Sequence, residues 1–299
     1  MAEKTQTAND LGNPGAGVEI APEKKVAVVA APALVSILVP CCGMLEYTKL
    51  CVASILRHSR PPIELIFLDI GSLDGTVEYL AGIKSCLPSP YGRGVGAEGT
   101  RVTVVRTPTD LGIADACKEA IGEARGEYLV LLNNDTVVTE GWLNQLISLA
   151  GMSAAIGMVG PMSNYAAPPQ LVESVPYRVK PKRSQPAARF GNSEPLVDVT
   201  AVNAFAREFR ESTKGKWMEV DRLGGFCVLV KRQVLDRIGL VNLDKWTDLS
   251  LFDTDILSVK ARQAGFTLAC CRDLFIHHFG TRTFSHGAPG RESKAKEGS

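Results

Sequence analysis

Residues 63–76 have the sequence IELIFLDIGSLDGT, and this stretch decides the fold of the 299-residue chain. Its first seven residues, IELIFLD, are mostly apolar and end in Asp69, which is typical of a strand buried on both faces of a sheet. Gly71 and Gly75 then mark a turn, and TVEYLAGI begins a helix. A buried strand that passes through a short turn into a helix is the repeating unit of parallel α/β folds.

The same unit recurs on both sides of this stretch. LVSILVP (34–40) predicts an earlier buried strand, followed by a helix over 43–58. RVTVVRT (101–107) and EYLVLL (127–132) predict two more strands, with a helix over 112–125 between them. Later helices are expected around 140–150, 201–212, 231–238 and 255–264, and later strands in GGFCVLV (224–230), TLACC and LFIHH. This alternation predicts an α/β protein with a central, mostly parallel sheet flanked by helices, which binds ligands at the carboxyl ends of its strands.

Polar segments bound this pattern at both ends. We expect a disordered tail over residues 1–33, a single domain over 34–285 and a flexible tail over 286–299. The proline-containing segment 165–222 is expected to be an excursion over the site and not an independent domain. We expect neither a secretory signal nor a membrane-spanning helix, because prolines interrupt the uncharged run 26–45.

The composition argues against some classes of function. Lys plus Arg number 33 and Asp plus Glu 32, so the formal net charge is +1, which does not suit a protein that grips nucleic acid through its phosphates. The eight cysteines include no C-x-x-C pair, and we expect them to be reduced, buried side chains and not metal ligands.

Acidic and amide side chains follow two of the predicted strands. Asp69 ends IELIFLD, and a carboxylate there can accept hydrogen bonds from a ribose or a nucleobase. Asp74 fits either ligand binding or the capping of a helix. Asn133, Asn134 and Asp135 directly follow EYLVLL. There, one carboxylate supported by amide oxygens can bridge Mg²⁺ or Mn²⁺ to a diphosphate, although an Asx turn has the same chemistry.

Two acids and a histidine in the C-terminal part complete the candidate set. Asp253 and Asp255 precede a predicted amphipathic helix, where they can complement the helix dipole or deprotonate an acceptor hydroxyl. His278 follows the strand-like LFIH in a chain with four histidines, which makes it a candidate metal ligand.

These segments, in this order, resemble the family 2 glycosyltransferases of the GT-A fold, whose central sheet is Rossmann-like. VSILVPCCGMLEYTKLCVASILRHS is similar to the opening strand and helix of that family, and ELIFLDIGSLDGT to its D-x-G-S-x-D-G-T segment. DLGIADACKEAIGEARGEYLVLLNNDT resembles the helix that leads into its D-x-D-type metal motif. GGFCVLVKRQVLDRIG, followed by an acidic pair and RQAGF, is similar to its acceptor-side segment.

The resemblance implies roles for individual positions. A nucleotide sugar would be bound by Pro40, Asp69, Asp74, Leu111, Gly112, Asn133 and Asn134. Asp135 would hold Mn²⁺ or Mg²⁺ on the diphosphate, and His278 would be a further metal or phosphate contact. One of Asp253 and Asp255, with a slight preference for Asp253, would be the catalytic base of an inverting displacement.

The resemblance also implies an organisation and a setting. Residues 34–160 would form the nucleotide-sugar-binding half and 161–285 the acceptor-side half. The donor would carry UDP or dTDP, and the acceptor would be a glycan, a lipid-linked compound or a protein. The enzyme would act in polysaccharide biosynthesis in the cytoplasm, where peripheral contact with the inner face of the membrane is an option.

The chain departs from the family pattern in two places. The D-x-D motif is Asn133–Asn134–Asp135, so only its last acid remains, and Thr254 and Ile256 interrupt the usual E-D-x-D. These departures keep open a degenerate module that binds a sugar nucleotide or glycan without turnover. A nucleotidyltransferase, which can use a related sheet and a metal, is a second alternative.

Overall fold

The protein is described by a computed structural model over residues 33–60, 62–86, 100–107, 113–179, 196–239 and 254–280. Both predicted tails lie outside the described residues, apart from Ala33, as do Leu111, Gly112 and Asp253. The elements, in chain order, are β1 (Val35–Cys41), α1 (Leu45–His58), β2 (Ile63–Ile70), α2 (Thr76–Cys86), β3 (Arg101–Thr107), α3 (Ile113–Glu123), β4 (Tyr128–Leu132), β5 (Thr136–Val137), α4 (Trp142–Gly151), β6 (Ile156–Met162), α5 (Val199–Thr213), β7 (Trp217–Val220), β8 (Cys227–Lys231), α6 (Arg232–Arg237), α7 (Thr254–Gln263), β9 (Thr267–Phe275) and β10 (His277–His278).

An eight-stranded sheet, in the order β3-β2-β1-β4-β8-β6-β9-β7, forms the centre of the described part. The strands β3, β2, β1 and β4 are all parallel, as their apolar runs predict. β8 lies antiparallel between β4 and β6, while β6 and β9 pair in parallel and β7 closes the edge antiparallel to β9. The prediction of a mostly parallel sheet flanked by helices is confirmed.

The register brings several chain segments to one edge of this sheet. Cys41 at the end of β1 pairs with Asp69 at the end of β2. Leu132 at the end of β4 pairs with Cys227 at the start of β8. Because β6 runs antiparallel to β8, β6 also ends at this edge. The segments that follow β2, β4 and β6, and the one that precedes β8, therefore meet there, and we call this the carboxyl edge.

Apolar side chains cover both faces of the sheet. Within β1, Ile37 and Val39 pack in the cluster that includes α1 and α4, whereas Leu38 packs in the cluster that includes α3 and α7. Neighbouring residues of a strand point to opposite faces. Strands of a sheet that is covered on both faces therefore have apolar side chains at consecutive positions, as β1 does.

A small second sheet pairs β5 with β10. It is antiparallel, with His278 opposite Thr136 and His277 opposite Val137. This pairing connects the segment after β4 with the segment after β9, and the Phe279 N–H donates to the Asp135 carbonyl at 3.0 Å. Two residues that are far apart in sequence, Asp135 and His278, are thereby brought side by side.

The C-terminal strands differ from the sequence prediction. TLACC and LFIHH were expected as two strands, but β9 runs without a break from Thr267 to Phe275, and only His277–His278 pair separately. The charged residues Arg272 and Asp273 interrupt the apolar pattern within β9, and the sequence therefore indicated two strands. Both contact the segment between α5 and β7, where the Arg272 N–H donates to the Lys216 carbonyl and Asp273 accepts from the Gly215 N–H.

The seven cysteines whose side chains are described form no disulfide bond with one another, and six of them are buried. This confirms their expected place among the apolar residues. Burial raises the pKa of Cys51 to about 12 and that of Cys270 to about 12, so both stay protonated at neutral pH. No described helix combines the length and the apolar character that crossing a membrane requires.

Candidate active site

Asp69 places a fully buried carboxylate at the carboxyl edge. Its Oδ1 accepts a hydrogen bond from the Ser72 N–H at 3.3 Å. Its Oδ2 is buried and has no hydrogen-bond partner among the described residues. Because an unsatisfied buried carboxylate oxygen is costly, this atom suits a ligand that brings an N–H or O–H group to the end of β2.

Arg106 stands beside Asp69 at the end of the neighbouring strand β3. Its Nε lies 3.6 Å from Asp69 Oδ2, which is an ion-pair distance but too long for a hydrogen bond. The Arg106 side chain is 63% exposed, so its guanidinium is accessible to a ligand at Asp69. Arg106 was not predicted from the sequence as a site residue, although the charge near the end of RVTVVRT was an available signal.

Asp74 connects the starts of two helices. Its carboxylate accepts hydrogen bonds from the Leu45 N–H at 2.8 Å, the Thr76 N–H at 3.2 Å and the Thr76 hydroxyl at 2.6 Å. Partial burial alone raises the pKa of Asp74, but these hydrogen bonds outweigh it and leave the pKa below its ordinary value. This geometry favours the capping alternative, while nucleotide binding by Asp74 stays a prediction.

Asn133 and Asn134 hold the segment after β4 in place. The Asn133 N–H donates to the Phe226 carbonyl at 2.9 Å, which joins this segment to the start of β8. Asn134 Nδ2 donates to the Thr48 hydroxyl at 2.8 Å and to the Gly43 carbonyl at 3.3 Å. These contacts fix the segment after β4 against α1 and the turn before it, so that Asp135 has a defined position.

Asp135 and His278 form the central pair of the site. Both are buried, and His278 Nε2 lies 3.3 Å from Asp135 Oδ1 without the alignment of a hydrogen bond. On the other side of the ring, His278 Nδ1 lies 2.8 Å from the Tyr165 carbonyl. A carbonyl oxygen can only accept, so Nδ1 carries the hydrogen, and in the neutral ring Nε2 presents its lone pair to a carboxylate.

This pair fits a divalent cation. Two lone-pair donors that face each other repel unless a proton or a cation lies between them. Adjacent ligands of an octahedral ion lie about 3 Å apart when each is about 2.1 Å from the ion, close to the observed separation. No cluster of three or more His, Cys, Asp or Glu side chains that could hold a metal occurs in the described part. The remaining ligands would be oxygen atoms of phosphate, water, amide or carbonyl groups, or side chains outside that part.

Three neighbours orient His278. The Asn164 amide binds its backbone twice, donating to the His278 carbonyl and accepting from the His278 N–H, each at 3.0 Å. Phe226 stacks on the imidazole, with the ring centroids 5.3 Å apart and the planes at 16°. Together with the Tyr165 carbonyl, these contacts fix the ring in one orientation, as the outer partners of metal-binding histidines commonly do. None of the three was predicted from the sequence as a site residue.

His277 points away from this pair. Burial, assisted by the neighbouring His278, lowers the pKa of His277 to about 3, so the ring is neutral at physiological pH. Its Nδ1 lies 2.9 Å from the Tyr177 hydroxyl, and Phe279 packs edge-on against it. His277 belongs to the apolar cluster under α5 and not to the candidate metal site.

The remaining predicted residues are distributed around this centre. Pro40 is buried near the end of β1, opposite Leu68 of β2. Asp255 is exposed in the first turn of α7. Asp69 and Asp135 follow strands that are two positions apart in the sheet, which corresponds to about 10 Å.

Comparison with known proteins identifies relatives of this chain. A model named Glycosyl transferase family 2 matches residues 36–188, just over half of the chain. "Glycosyltransferase GlyG" of Streptococcus pneumoniae is 27% identical over 132 residues, which are 44% of this chain and 40% of that protein. An "Uncharacterized glycosyltransferase" of Haemophilus influenzae is 28% identical over 115 residues, 38% of this chain and 41% of that protein. The chain thus spans less than half the length of these relatives.

Solved structures share the fold at low sequence identity. A mannosyltransferase, PcManGT from Pyrobaculum calidifontis in complex with GDP-Man and Mn²⁺, has a TM-score of 0.54 and 16% identity over 83% of this chain and 57% of its own. GalNAc-T7 with UDP, GalNAc and Mn²⁺ has a TM-score of 0.52 and 16% identity over 86% and 45%. TarS of S. aureus in complex with UDP-GlcNAc has a TM-score of 0.52 and 11% identity over 86% and 61%. The chain has the GT-A fold of these enzymes.

Proposed function

This chain belongs to glycosyl transferase family 2, and we propose on that basis that it transfers a sugar from a nucleoside diphosphate to an acceptor hydroxyl. The observation that carries the proposal is the buried Asp135–His278 pair, whose facing lone pairs suit a divalent cation at the carboxyl edge. Its structural neighbours include proteins crystallised with GDP-Man and Mn²⁺ and with UDP-GlcNAc, which supports a nucleotide-sugar donor.

The nucleoside would lie at the ends of β2 and β3. Asp69 Oδ2, which is buried and unsatisfied, would accept a hydrogen bond from the base or the ribose, and the exposed Arg106 would border the same pocket. β2 and β4 are two positions apart in the sheet, about 10 Å, and the rest of the nucleotide would lie across this width. A pyrimidine donor, UDP or dTDP, is the proposal that follows from the sequence resemblance.

The diphosphate would lie at the central pair. Asp135 Oδ1 and His278 Nε2 would hold Mn²⁺ or Mg²⁺, which supplies the positive charge that stabilises a leaving diphosphate. The amide contacts of Asn133 and Asn134 keep the carboxylate of Asp135 in position before the donor arrives. A site whose charged groups are positioned in advance stabilises the charge of the transition state without the cost of reorganising them.

The acceptor hydroxyl would be deprotonated by one of the two acids near the start of α7. As the carboxylate takes the proton, the acceptor oxygen attacks the anomeric carbon opposite the diphosphate, and the bond from that carbon to the diphosphate oxygen breaks. A new glycosidic bond of inverted configuration results. Asp253 and Asp255 both stay candidates for this base.

The base assignment is tested with Asp253→Asn and Asp255→Asn. We expect one of the two variants to lose about a hundredfold or more in turnover, in line with the usual contribution of general base catalysis. Titration calorimetry with UDP and Mn²⁺ should give unchanged binding for both variants. Near-normal turnover of both variants would show that neither acid is the base.

The two alternatives predict different products. A nucleotidyltransferase releases pyrophosphate, whereas a glycosyltransferase releases a nucleoside diphosphate. A degenerate binding module binds the nucleotide with metal but releases neither product from any nucleotide sugar. Ion chromatography of the phosphates released from a nucleoside triphosphate with a sugar 1-phosphate, and separately from a nucleotide sugar, therefore distinguishes the three possibilities.

The acceptor and the place of action stay predictions from the sequence. The expected acceptors are a glycan, a lipid-linked compound or a protein, and the expected place is the cytoplasm, including the inner face of the membrane. Fractionation of cells that express a tagged form of the full chain tests the second point directly. Recovery of the chain outside the cytoplasmic and inner-membrane fractions would contradict it.

A further inference from the structure

Tyr165 presents an aromatic ring beside the central pair. The residue is 51% exposed, although it follows β6 directly at the carboxyl edge. Its ring stands edge-to-face with the His278 ring at a centroid distance of 5.5 Å and an angle of 77°. An exposed aromatic ring next to a buried candidate metal ligand offers apolar surface to a ligand that binds there.

The backbone of Tyr165 is held on both sides. Its carbonyl accepts from His278 Nδ1 at 2.8 Å, and its N–H donates to the Ser163 hydroxyl at 3.4 Å. The preceding residue, Asn164, is tied to the backbone of His278 by two hydrogen bonds. The Tyr165 ring therefore projects from a fixed support, and a ligand that binds against it has little ordering entropy to overcome.

One face of the ring is already covered. A Cβ atom built on Gly280 would lie 3.0 Å from each of three ring carbons, Cγ, Cδ2 and Cε2 of Tyr165. A point at equal distance from three atoms of a planar ring lies above the ring and not beside its edge. Gly280 thus covers one face of Tyr165, and because the residue is still 51% exposed, we call the other face the open face.

We propose that this open face of Tyr165 stacks on a pyranose ring held beside the diphosphate. Pyranoses carry one face of C–H groups, and such a face packs on the electron-rich face of an aromatic ring while the hydroxyl groups stay hydrated or hydrogen-bonded. The inference rests on the proposed function for the placement of the diphosphate. It would add a carbohydrate contact on the segment after β6, two positions beyond β4 in the sheet.

The pyranose can come from two sources, the transferred sugar of the donor or a sugar of the acceptor. Both share the chemistry that Tyr165 recognises, and two measurements distinguish them. The donor arm compares the affinities of UDP and of UDP-glucose, UDP-galactose and UDP-N-acetylglucosamine by calorimetry with Mn²⁺. The acceptor arm follows the methyl glycosides of the same three sugars by saturation-transfer NMR, with UDP and Mn²⁺ present.

The test uses Tyr165→Ala and, as a matched control, Tyr165→Phe. Both variants keep the backbone carbonyl that accepts from His278, so binding of UDP with Mn²⁺ should stay within twofold of wild type. In Tyr165→Ala we expect the sugar-dependent part of binding to weaken about fivefold in one arm, since a stacked aromatic contact contributes on that scale. Tyr165→Phe should retain it, because the ring and its open face remain.

The outcomes separate this inference from the proposed function. Unchanged sugar binding in both arms for Tyr165→Ala, with UDP binding intact, overturns the stacking role alone. Loss of UDP and Mn²⁺ binding in Tyr165→Ala also overturns it, because the residue would then act through His278. A wild-type chain that binds no nucleotide contradicts the proposed function, and glycoside binding measured without UDP then decides whether Tyr165 forms a sugar site.

Discussion

Asp135 is the residue on which the proposed chemistry most depends. In Asp135→Asn, the charge is lost while the size and the backbone hydrogen bond to Phe279 are kept. We expect the affinity for UDP in the presence of Mn²⁺ to fall on the order of a hundredfold. Loss of a residue that orients a metal ligand commonly lowers metal affinity by about 10- to 100-fold, and loss of the ligand itself should cost at least as much. Titration calorimetry with and without EDTA measures this.

A matched control for that variant is Asp221→Asn. Asp221 is largely exposed and forms an ion pair with Arg262 at 2.8 Å, away from the central pair. Its removal should leave the affinity for UDP unchanged. Equal binding by wild type and Asp135→Asn would contradict the assignment of Asp135 to the metal.

Asn164 should control the metal site without touching the metal. Its two hydrogen bonds to His278 hold the backbone that carries the imidazole. In Asn164→Ala we expect the Mn²⁺ concentration for half-maximal UDP binding to rise about tenfold, the usual effect of removing an outer partner of a metal ligand. Asn144→Ala, an exposed change in α4, is the control and should leave this concentration unaltered. An unchanged Mn²⁺ requirement in Asn164→Ala would mean that His278 is either positioned by other groups or is not a ligand.

At the scale of the elements, Glu64 of β2 connects the amino ends of β1, β2 and β3. This buried carboxylate accepts from the Ser36 hydroxyl at 2.6 Å, the Arg125 N–H at 2.6 Å and Arg101 Nε at 3.0 Å. In Glu64→Ala we expect the free energy of unfolding to fall by about 3 kcal/mol, because a partly buried cation and two other donors lose their acceptor. Urea denaturation followed by circular dichroism measures this.

The control for Glu64→Ala is Glu46→Ala on the exposed side of α1. Glu46 forms only a surface pair with Lys49 at 2.9 Å, and its loss should cost less than about 1 kcal/mol. Since Glu64 lies at the opposite end of the strands from Asp69, nucleotide binding at temperatures where the variant is folded should be retained. Equal stability of Glu64→Ala and Glu46→Ala would show that the network is not structural.

The variant Asp74→Asn tests whether Asp74 caps α1 and α2 or binds a ligand. For Asp74→Asn we expect a loss of about 1 kcal/mol in unfolding free energy at pH 7, typical of a lost helix cap, and unchanged UDP affinity. Because hydrogen bonds lower the pKa of Asp74, its charged form is the stabilising one. The difference from wild type should therefore be complete at neutral pH and should shrink as the pH falls below the ordinary value of 3.8. A tenfold loss of UDP affinity with full stability would favour the ligand-binding alternative.

The elements also show what sequence can and cannot predict. β1, β2 and β4 were predicted to within a residue or two, because apolar runs that end in turn or polar residues leave few other structures. β6 and β7 were not predicted. Two glycines and a proline interrupt the pattern of β6, and β7 is a four-residue edge strand with mostly exposed side chains. The two-residue strands β5 and β10 are too short to carry a pattern at all.

At the scale of the whole molecule, the site is assembled by pairing that no local pattern specifies. Asp69 and Asp135 were both expected at the carboxyl ends of parallel strands, where ligands bind. Their chemistry, however, is completed by His278, Asn164 and Phe226, which reach the carboxyl edge through β10, β6 and β8. His278 was predicted from the sequence, but Asn164 and Phe226 were not. An amide after β6 and a phenylalanine before β8 carry no sequence signal, and only the sheet topology brings them next to His278.

The central claim is that the chain breaks the bond between a sugar and a nucleoside diphosphate with help from Asp135. The most direct measurement is the release of nucleoside diphosphate from UDP-glucose, UDP-galactose, UDP-N-acetylglucosamine, dTDP-glucose and GDP-mannose, with Mn²⁺ or with EDTA. We predict release of the diphosphate from at least one donor, dependent on Mn²⁺ and lost in Asp135→Asn but not in Asp221→Asn. Release that is the same in EDTA or in Asp135→Asn, or no release and no nucleotide binding by the wild-type chain, would contradict the account.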